Sequence, residues 1–145
     1  VPEVSAERYN EINQIRKNLE GMAARAASQN MTSDKLRELR TLAINVDEAM
    51  KSGNTEQALQ ANRVFRFSVY AHAGMPTLSA LIEQLWVRIG PCYNYLYPSS
   101  EHLMRVQHYH DLLCALEEGD AFASERAVWR AIDEGSTIVH RQFER

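Results

Sequence analysis

Apolar residues recur at intervals of three and four along almost the whole chain, and no sustained alternation of apolar and polar residues interrupts them. This spacing places apolar side chains on one face of an α-helix, whereas a half-buried strand has a period of two. With only six Gly and four Pro in 145 residues, the composition also favours helix. The pattern therefore predicts an all-α fold, and the short breaks predict an antiparallel bundle of six to seven helices.

Start and stop signals divide this pattern into helices. The first helix is predicted from about Ala6 to Ser28, and the last from about Ala121 to Phe143. Between these two helices, N-caps are predicted at Thr32 or Ser33, at Asn54, at Ser99 or Ser100 and at Asp120. Pro76 is predicted to start the fourth helix, and Gly90-Pro91 is predicted to end it. Met22 of the first helix and Leu81 of the fourth are among the apolar residues predicted to face inward.

Length and charge restrict the class of protein. We predict a single domain over residues 1–145, long enough to bury its own core. The formal net charge is −3 and no basic stripe is present, so this chain alone is predicted not to bind DNA. No apolar run approaches the ~20 residues of a membrane span. Cys92 and Cys114 form no CxxC pair, which predicts reduced thiols in a cytoplasmic protein, with Cys114 in the core.

Signatures of catalysis are lacking from the sequence. It contains no GxSxG, P-loop, HExxH or GxGxxG motif, so we predict that the protein is not an enzyme. His102, His108 and His110 are six and two residues apart and therefore do not share a helix face. We predict structural histidines rather than a metal centre, with His72 partly protonated at the end of the third helix.

Several short segments follow one another in an order that is similar to a known family. They are Ile15-Arg16-Lys-Asn-Leu19-Glu20, Asn62 to Leu78, Leu85-Trp86-Val-Arg88-Ile89, His108 to Asp120, and Ala127-Val-Trp-Arg-Ala131-Ile132. Together they resemble the effector-binding C-terminal domain of GntR-type bacterial transcription regulators of the FadR subfamily, called the FCD domain. The resemblance extends over nearly the whole chain and implies an FCD-type helical bundle.

The resemblance also implies a site inside the bundle. Many family members bind a metal there with one Asp and three His, and these positions correspond to Asn62, Arg66, Tyr109 and Ala131. Arg stays protonated and Ala has no donor atom, so we predict no metal and no other cofactor. Arg66 is predicted instead to bind a small anionic, carboxylate-like metabolite through its guanidinium.

The remaining site residues are predicted around Arg66. Asn62 and Tyr109 could donate hydrogen bonds to the ligand, Ala131 leaves space for it, and Arg16 and Arg88 are further candidate contacts. The alternatives are that Arg66 pairs with a carboxylate such as Glu125 or Asp133 or extends to water, and that Tyr109 is a core aromatic residue.

The resemblance implies that this domain is the ligand-sensing part of a transcription repressor or activator. The intact protein would be a homodimer that binds DNA through an N-terminal winged helix-turn-helix domain, which is expected upstream and is absent from this chain. One alternative is a helical dimerisation module without any small-molecule ligand. Another is a sensor for a larger acyl-type effector, with Tyr93, Tyr95 and Tyr97 lining its channel.

Overall fold

The computed structural model describes residues 4–90, 92 and 102–143, without the side chains of 102–106 and 142. These residues form six α-helices and no strand, so the prediction of an all-α fold is confirmed. The helices are α1 (Ala6–Ser28), α2 (Ser33–Ser52), α3 (Thr55–Ala71), α4 (Pro76–Ile89), α5 (His102–Glu118) and α6 (Ala121–Phe143).

The predicted capping residues explain where these helices begin. Thr32 accepts a hydrogen bond from the Lys35 amide, and Asn54 accepts one from the Gln57 amide at 3.0 Å. Asp120 caps α6 in the same way. Each cap satisfies an amide that lacks a partner within the first turn of its helix. The predicted caps Ser99 and Ser100 lie outside the described residues.

Helix α1 lies at the centre of the bundle. It packs against α6, α4, α3 and α5, while α2 packs against α3 and α5. The main core therefore contains residues from all six helices, and a smaller cluster forms around Tyr9, Ile12 and Ile89 at one end. Among the described helices, none has the length and apolar character required to cross a bilayer.

Three apolar residues predicted to face inward do not. Met22 is 38% exposed and Leu81 is 44% exposed, while Cys114 lies at the surface. The buried face of α1 is centred on the fully buried Ala23 and Ala24, which turns Met22 outward. Leu81 and Cys114 likewise stand one residue away from buried neighbours, which is a rotation of about 100° around the helix.

Helices α1 and α6 approach closely at Gly21. A Cβ atom added to Gly21 would lie 2.7 Å from Nε1 of Trp129, which donates a hydrogen bond to the Lys17 carbonyl. The absence of a side chain at this position therefore allows the indole of α6 to reach the backbone of α1.

We expect Gly21→Ala to lower the free energy of unfolding by about 1–3 kcal/mol, because the added methyl group displaces Trp129. This loss opposes the gain of about 1 kcal/mol that Ala normally gives within a helix. Chemical denaturation measures the difference. Gly90→Ala is the control, since an added Cβ there meets no atom of the described residues within 4 Å and should not destabilise the protein.

Candidate functional site

A buried carboxylate connects three helices in the interior of the bundle. Glu20 of α1 has no exposed surface. Its Oε1 accepts a hydrogen bond from the Tyr70 hydroxyl at 2.5 Å, and its Oε2 accepts from Arg16 Nε at 2.6 Å and from Trp86 Nε1 at 3.0 Å. Tyr70 lies on α3 and Trp86 on α4. Three donors therefore compensate the burial of this charge.

One face of α1 supplies the polar side of this network. Asn13, Arg16 and Glu20 follow at three- and four-residue spacing, so they share a face of the helix. The Arg16 guanidinium donates to Asn13 Oδ1 at 3.0 Å and lies over the Trp86 ring, 5.1 Å from its centroid. Because arginine only donates, this contact fixes the orientation of the Asn13 amide. The Asn13 Nδ2 group is consequently a buried donor, and it has no hydrogen-bond partner.

A second guanidinium lies near this network. Arg66 is 8% exposed, and its Nε is buried without a hydrogen-bond partner. Neither predicted carboxylate partner serves it, because Glu125 pairs with Arg25 and Asp133 pairs with Lys17. Within the described part of the chain, no carboxylate oxygen lies within 4.0 Å of Arg66.

The surroundings of Arg66 keep it charged. Burial acts to lower the pKa of Arg66, whereas the electrostatic effects of Tyr70, Glu20 and Tyr109 act to raise it. The pKa of Arg66 is raised above its ordinary value as a result. Burial, followed by the charge of Glu20, raises the pKa of Tyr70 well above its ordinary value. Tyr70 is therefore a neutral hydrogen-bond donor, and Arg66 is a permanent cation.

The described part of this interior consequently contains more positive than negative charge. Its buried charged side chains are Arg16, Arg66 and Glu20. Buried guanidiniums are normally paired. The arrangement can therefore accept an anion, with Arg66 as the group that lacks a counter-ion.

The other predicted site residues differ in burial. Tyr109 is buried against Phe65, and its hydroxyl donates to Oδ1 of Asn62, one helical turn before Arg66. Ala131 is buried on α6. Arg88, however, is exposed on α4, so its side chain does not belong to the buried group.

Four residues of this network were not predicted as ligand contacts: Asn13, Glu20, Tyr70 and Trp86. Their bonding partners lie far apart in sequence, since Glu20 is 50 residues from Tyr70 and 66 from Trp86. The sequence offered one local signal for this network: three polar residues of α1 lie on the same side of the helix as the apolar Tyr9 and Ile12.

The positions that correspond to the family's metal ligands do not fit a divalent metal. Arg66 brings a positive charge, Ala131 has no donor atom, and the oxygen of Asn62 already accepts from Tyr109. Elsewhere in the described residues, no group of three or more His, Cys, Asp or Glu side chains is arranged to bind a metal ion.

The histidines have separate environments. His108 Nε2 contacts Glu134 Oε2 at 2.5 Å, whereas His110 is exposed. The prediction that His72 is partly protonated is wrong, because burial and then Lys35 lower its pKa despite the opposing Glu38.

Known proteins are similar to this chain in sequence and in fold. The FCD domain family matches residues 11–134. The HTH-type transcriptional regulator McbR of Escherichia coli (strain K12) is 37% identical over 148 aligned positions, which include the whole of this chain and 67% of that protein. The solved structure of E. coli McbR/YncC superposes with a TM-score of 0.93, covering 98% of this chain and 72% of that one.

A more distant structure shares the fold alone. It is a protein described as Lar, which controls expression of the Listeria monocytogenes agr system. Its TM-score is 0.79 at 17% identity, over 95% of this chain and 66% of that one.

We expect Glu20→Gln to lower the free energy of unfolding by about 3–5 kcal/mol, because it leaves Arg16 buried without its counter-ion. Chemical denaturation followed by helical circular dichroism measures this loss. Glu11→Gln on the same helix is the control. It removes an exposed pair with Arg8 and should cost no more than about 1 kcal/mol. Equal effects of the two changes would contradict a central role for Glu20.

Replacing Arg66 should have the opposite effect in the ligand-free protein. We expect Arg66→Met to raise the free energy of unfolding by about 1–2 kcal/mol, because an apolar side chain replaces a buried guanidinium whose Nε has no hydrogen-bond partner. Arg63→Met, on the same helix, is the control, since Arg63 is partly exposed and pairs with Glu83. A loss of stability in Arg66→Met would show that Arg66 is a structural residue.

Proposed function

The chain belongs to the FCD domain family of GntR-type transcription regulators, a regulatory and non-enzymatic class of domain, and we propose that it senses a small carboxylate-like anion. In this proposal the anion binds inside the bundle without a metal. Arg66 holds it directly, and Asn62, Tyr109 and Arg16 surround it, while Ala131 leaves space.

The observation that carries the proposal is that Arg66 has no carboxylate partner among the described residues. Arg66 is buried, its Nε has no hydrogen-bond partner, and the neighbouring Glu20 is already bonded to Arg16. A carboxylate bound by a guanidinium accepts two parallel, charge-assisted hydrogen bonds. Binding of such a ligand would thus supply the counter-ion that the described residues do not provide.

A surface groove supplies a route to this region. The groove lies between α3 and α4, has a volume of about 440 Å³, and is lined in part by Gln60, Arg63 and Trp86. Trp86 also donates to Glu20 in the buried network. The indole therefore stands between the groove and the buried charges, and its displacement would admit a ligand from solvent.

The groove also favours a second candidate ligand. Leu59, Trp86 and Val87 give it apolar walls, which suits the acyl portion of a larger effector whose anionic end reaches Arg66. Both candidates require the same guanidinium and differ only in the part of the ligand outside the buried network.

Ligand binding would act on DNA through the arrangement of a homodimer. An anion at Arg66 would add bonds among α1, α3 and α5, the helices that carry Arg16, Arg66 and Tyr109. If one arrangement of the dimer binds the anion more tightly, the ligand favours that arrangement. A winged helix-turn-helix domain in the intact protein would then change the spacing of its two DNA contacts.

Arg66→Met should abolish stabilisation by carboxylate ligands. The test is a thermal-shift panel of short organic acids, sugar acids, amino acids and fatty acyl compounds, at constant ionic strength. Arg37→Met, which removes an exposed arginine of α2 that pairs with Asp34, is the control and should retain the wild-type response. Equal stabilisation of the wild type and of Arg66→Met by every active anion would contradict the proposal.

A further inference from the structure

We propose that the buried network accepts a ligand with a single negative charge and that Asn13 selects for an uncharged oxygen on the same molecule. This inference rests on the proposed function, because it assigns the chemistry of the anion that Arg66 binds. It makes Glu20 a positioning residue and Asn13 a residue that determines specificity.

The limit of one negative charge on the ligand follows from the pairing of Arg16 with Glu20. Arg16 Nε lies 2.6 Å from Glu20 Oε2, and both side chains are buried. Tyr70 and Trp86 donate to the same carboxylate, so Glu20 is held in place and remains the counter-ion of Arg16. Arg66 is then the one buried guanidinium of this described network without a counter-ion, and one negative charge neutralises it.

A second negative charge on the ligand would be unfavourable. The residues facing Arg66 are the neutral phenols Tyr70 and Tyr109 and the like charge of Arg16, which Glu20 already compensates. Asn62 offers no cation, and its oxygen is occupied by Tyr109. A dianion would therefore bury one charge without a partner or compete with Glu20, and either outcome weakens binding.

Asn13 adds a requirement for an uncharged acceptor. Its Oδ1 accepts from Arg16, which leaves the buried Nδ2 as a donor without a partner. An unpartnered buried donor is costly, and a ligand oxygen that accepts from it removes that cost. A hydroxyl, carbonyl or ether oxygen satisfies the amide, whereas a purely hydrocarbon neighbour does not.

The test compares three acids of equal carbon length on the wild-type protein. Propionate carries one charge, 3-hydroxypropionate carries one charge and an uncharged oxygen, and malonate carries two charges when both carboxyl groups are ionised. Dissociation constants are obtained from the concentration dependence of the melting temperature at slightly alkaline pH and constant ionic strength. We expect 3-hydroxypropionate to bind about three- to tenfold more tightly than propionate, and malonate at least about tenfold more weakly than propionate.

Two variants separate the parts of the inference. Asn13→Ala should remove the preference for 3-hydroxypropionate over propionate, so that the two acids bind with equal affinity. Asn62→Asp should no longer bind any of the three acids, because it places a negative charge one helical turn from Arg66. It keeps the oxygen that accepts a hydrogen bond from Tyr109. Asn18→Asp, an exposed position on α1, is the control for added charge and should bind as the wild type does.

Malonate binding as tightly as propionate, with both acids lost in Arg66→Met, would overturn the single-charge limit and leave the proposed anion site intact. A preference for 3-hydroxypropionate that persists in Asn13→Ala would overturn the role of Asn13 alone. If none of the three acids stabilises the wild type beyond a salt control, the anion site itself is wrong and this inference falls with it.

Discussion

The arrangement of the bundle depends on one buried carboxylate. Glu20 has no exposed surface, and its oxygens accept hydrogen bonds from α1 itself, from α3 through Tyr70 and from α4 through Trp86. Apolar packing alone would allow these helices to slide or rotate against each other, because hydrophobic contact is non-directional. Three directed bonds to one group restrict that freedom, and they also fix Arg16 and the indole of Trp86, which is one of the residues that line the α3–α4 groove.

The same network makes Arg66 exceptional. Glu20 accepts three hydrogen bonds, and none of them comes from the second guanidinium. Arg66 is buried, its Nε is unbonded, and no carboxylate oxygen of the described residues lies within 4.0 Å of it. A buried donor without a partner costs stability, and functional sites are where such costs are commonly retained. The satisfied carboxylate of Glu20 and the unbonded Nε of Arg66 are thus two consequences of one allocation of hydrogen bonds.

The sequence was sufficient to predict the fold because the relevant signals are local. Thr32, Asn54 and Asp120 each cap a helix through a bond spanning three residues, and the apolar period identifies the buried faces. The errors at Met22 and Leu81 arose because small residues such as Ala23 shift the centre of a buried face without changing its period. Arg66 and Asn62 could be found only through the resemblance to FCD domains. Tyr70 and Trp86 could not be found, because their bonds to Glu20 join residues 50 and 66 positions apart.

A guanidinium and a metal ion differ as anchors for an anion, even at equivalent positions of one fold. A metal must be loaded, binds several oxygens at short range and can carry two positive charges. Arg66 is covalently part of α3, carries one charge and offers donors in a fixed plane. In the proposed site, the selectivity of Arg66 would therefore depend on neighbouring neutral groups and on how much positive charge Glu20 leaves uncompensated. Substitution of the ligating residues need not end ligand sensing, because it can transfer the choice of ligand from the ion to the side chains of α1.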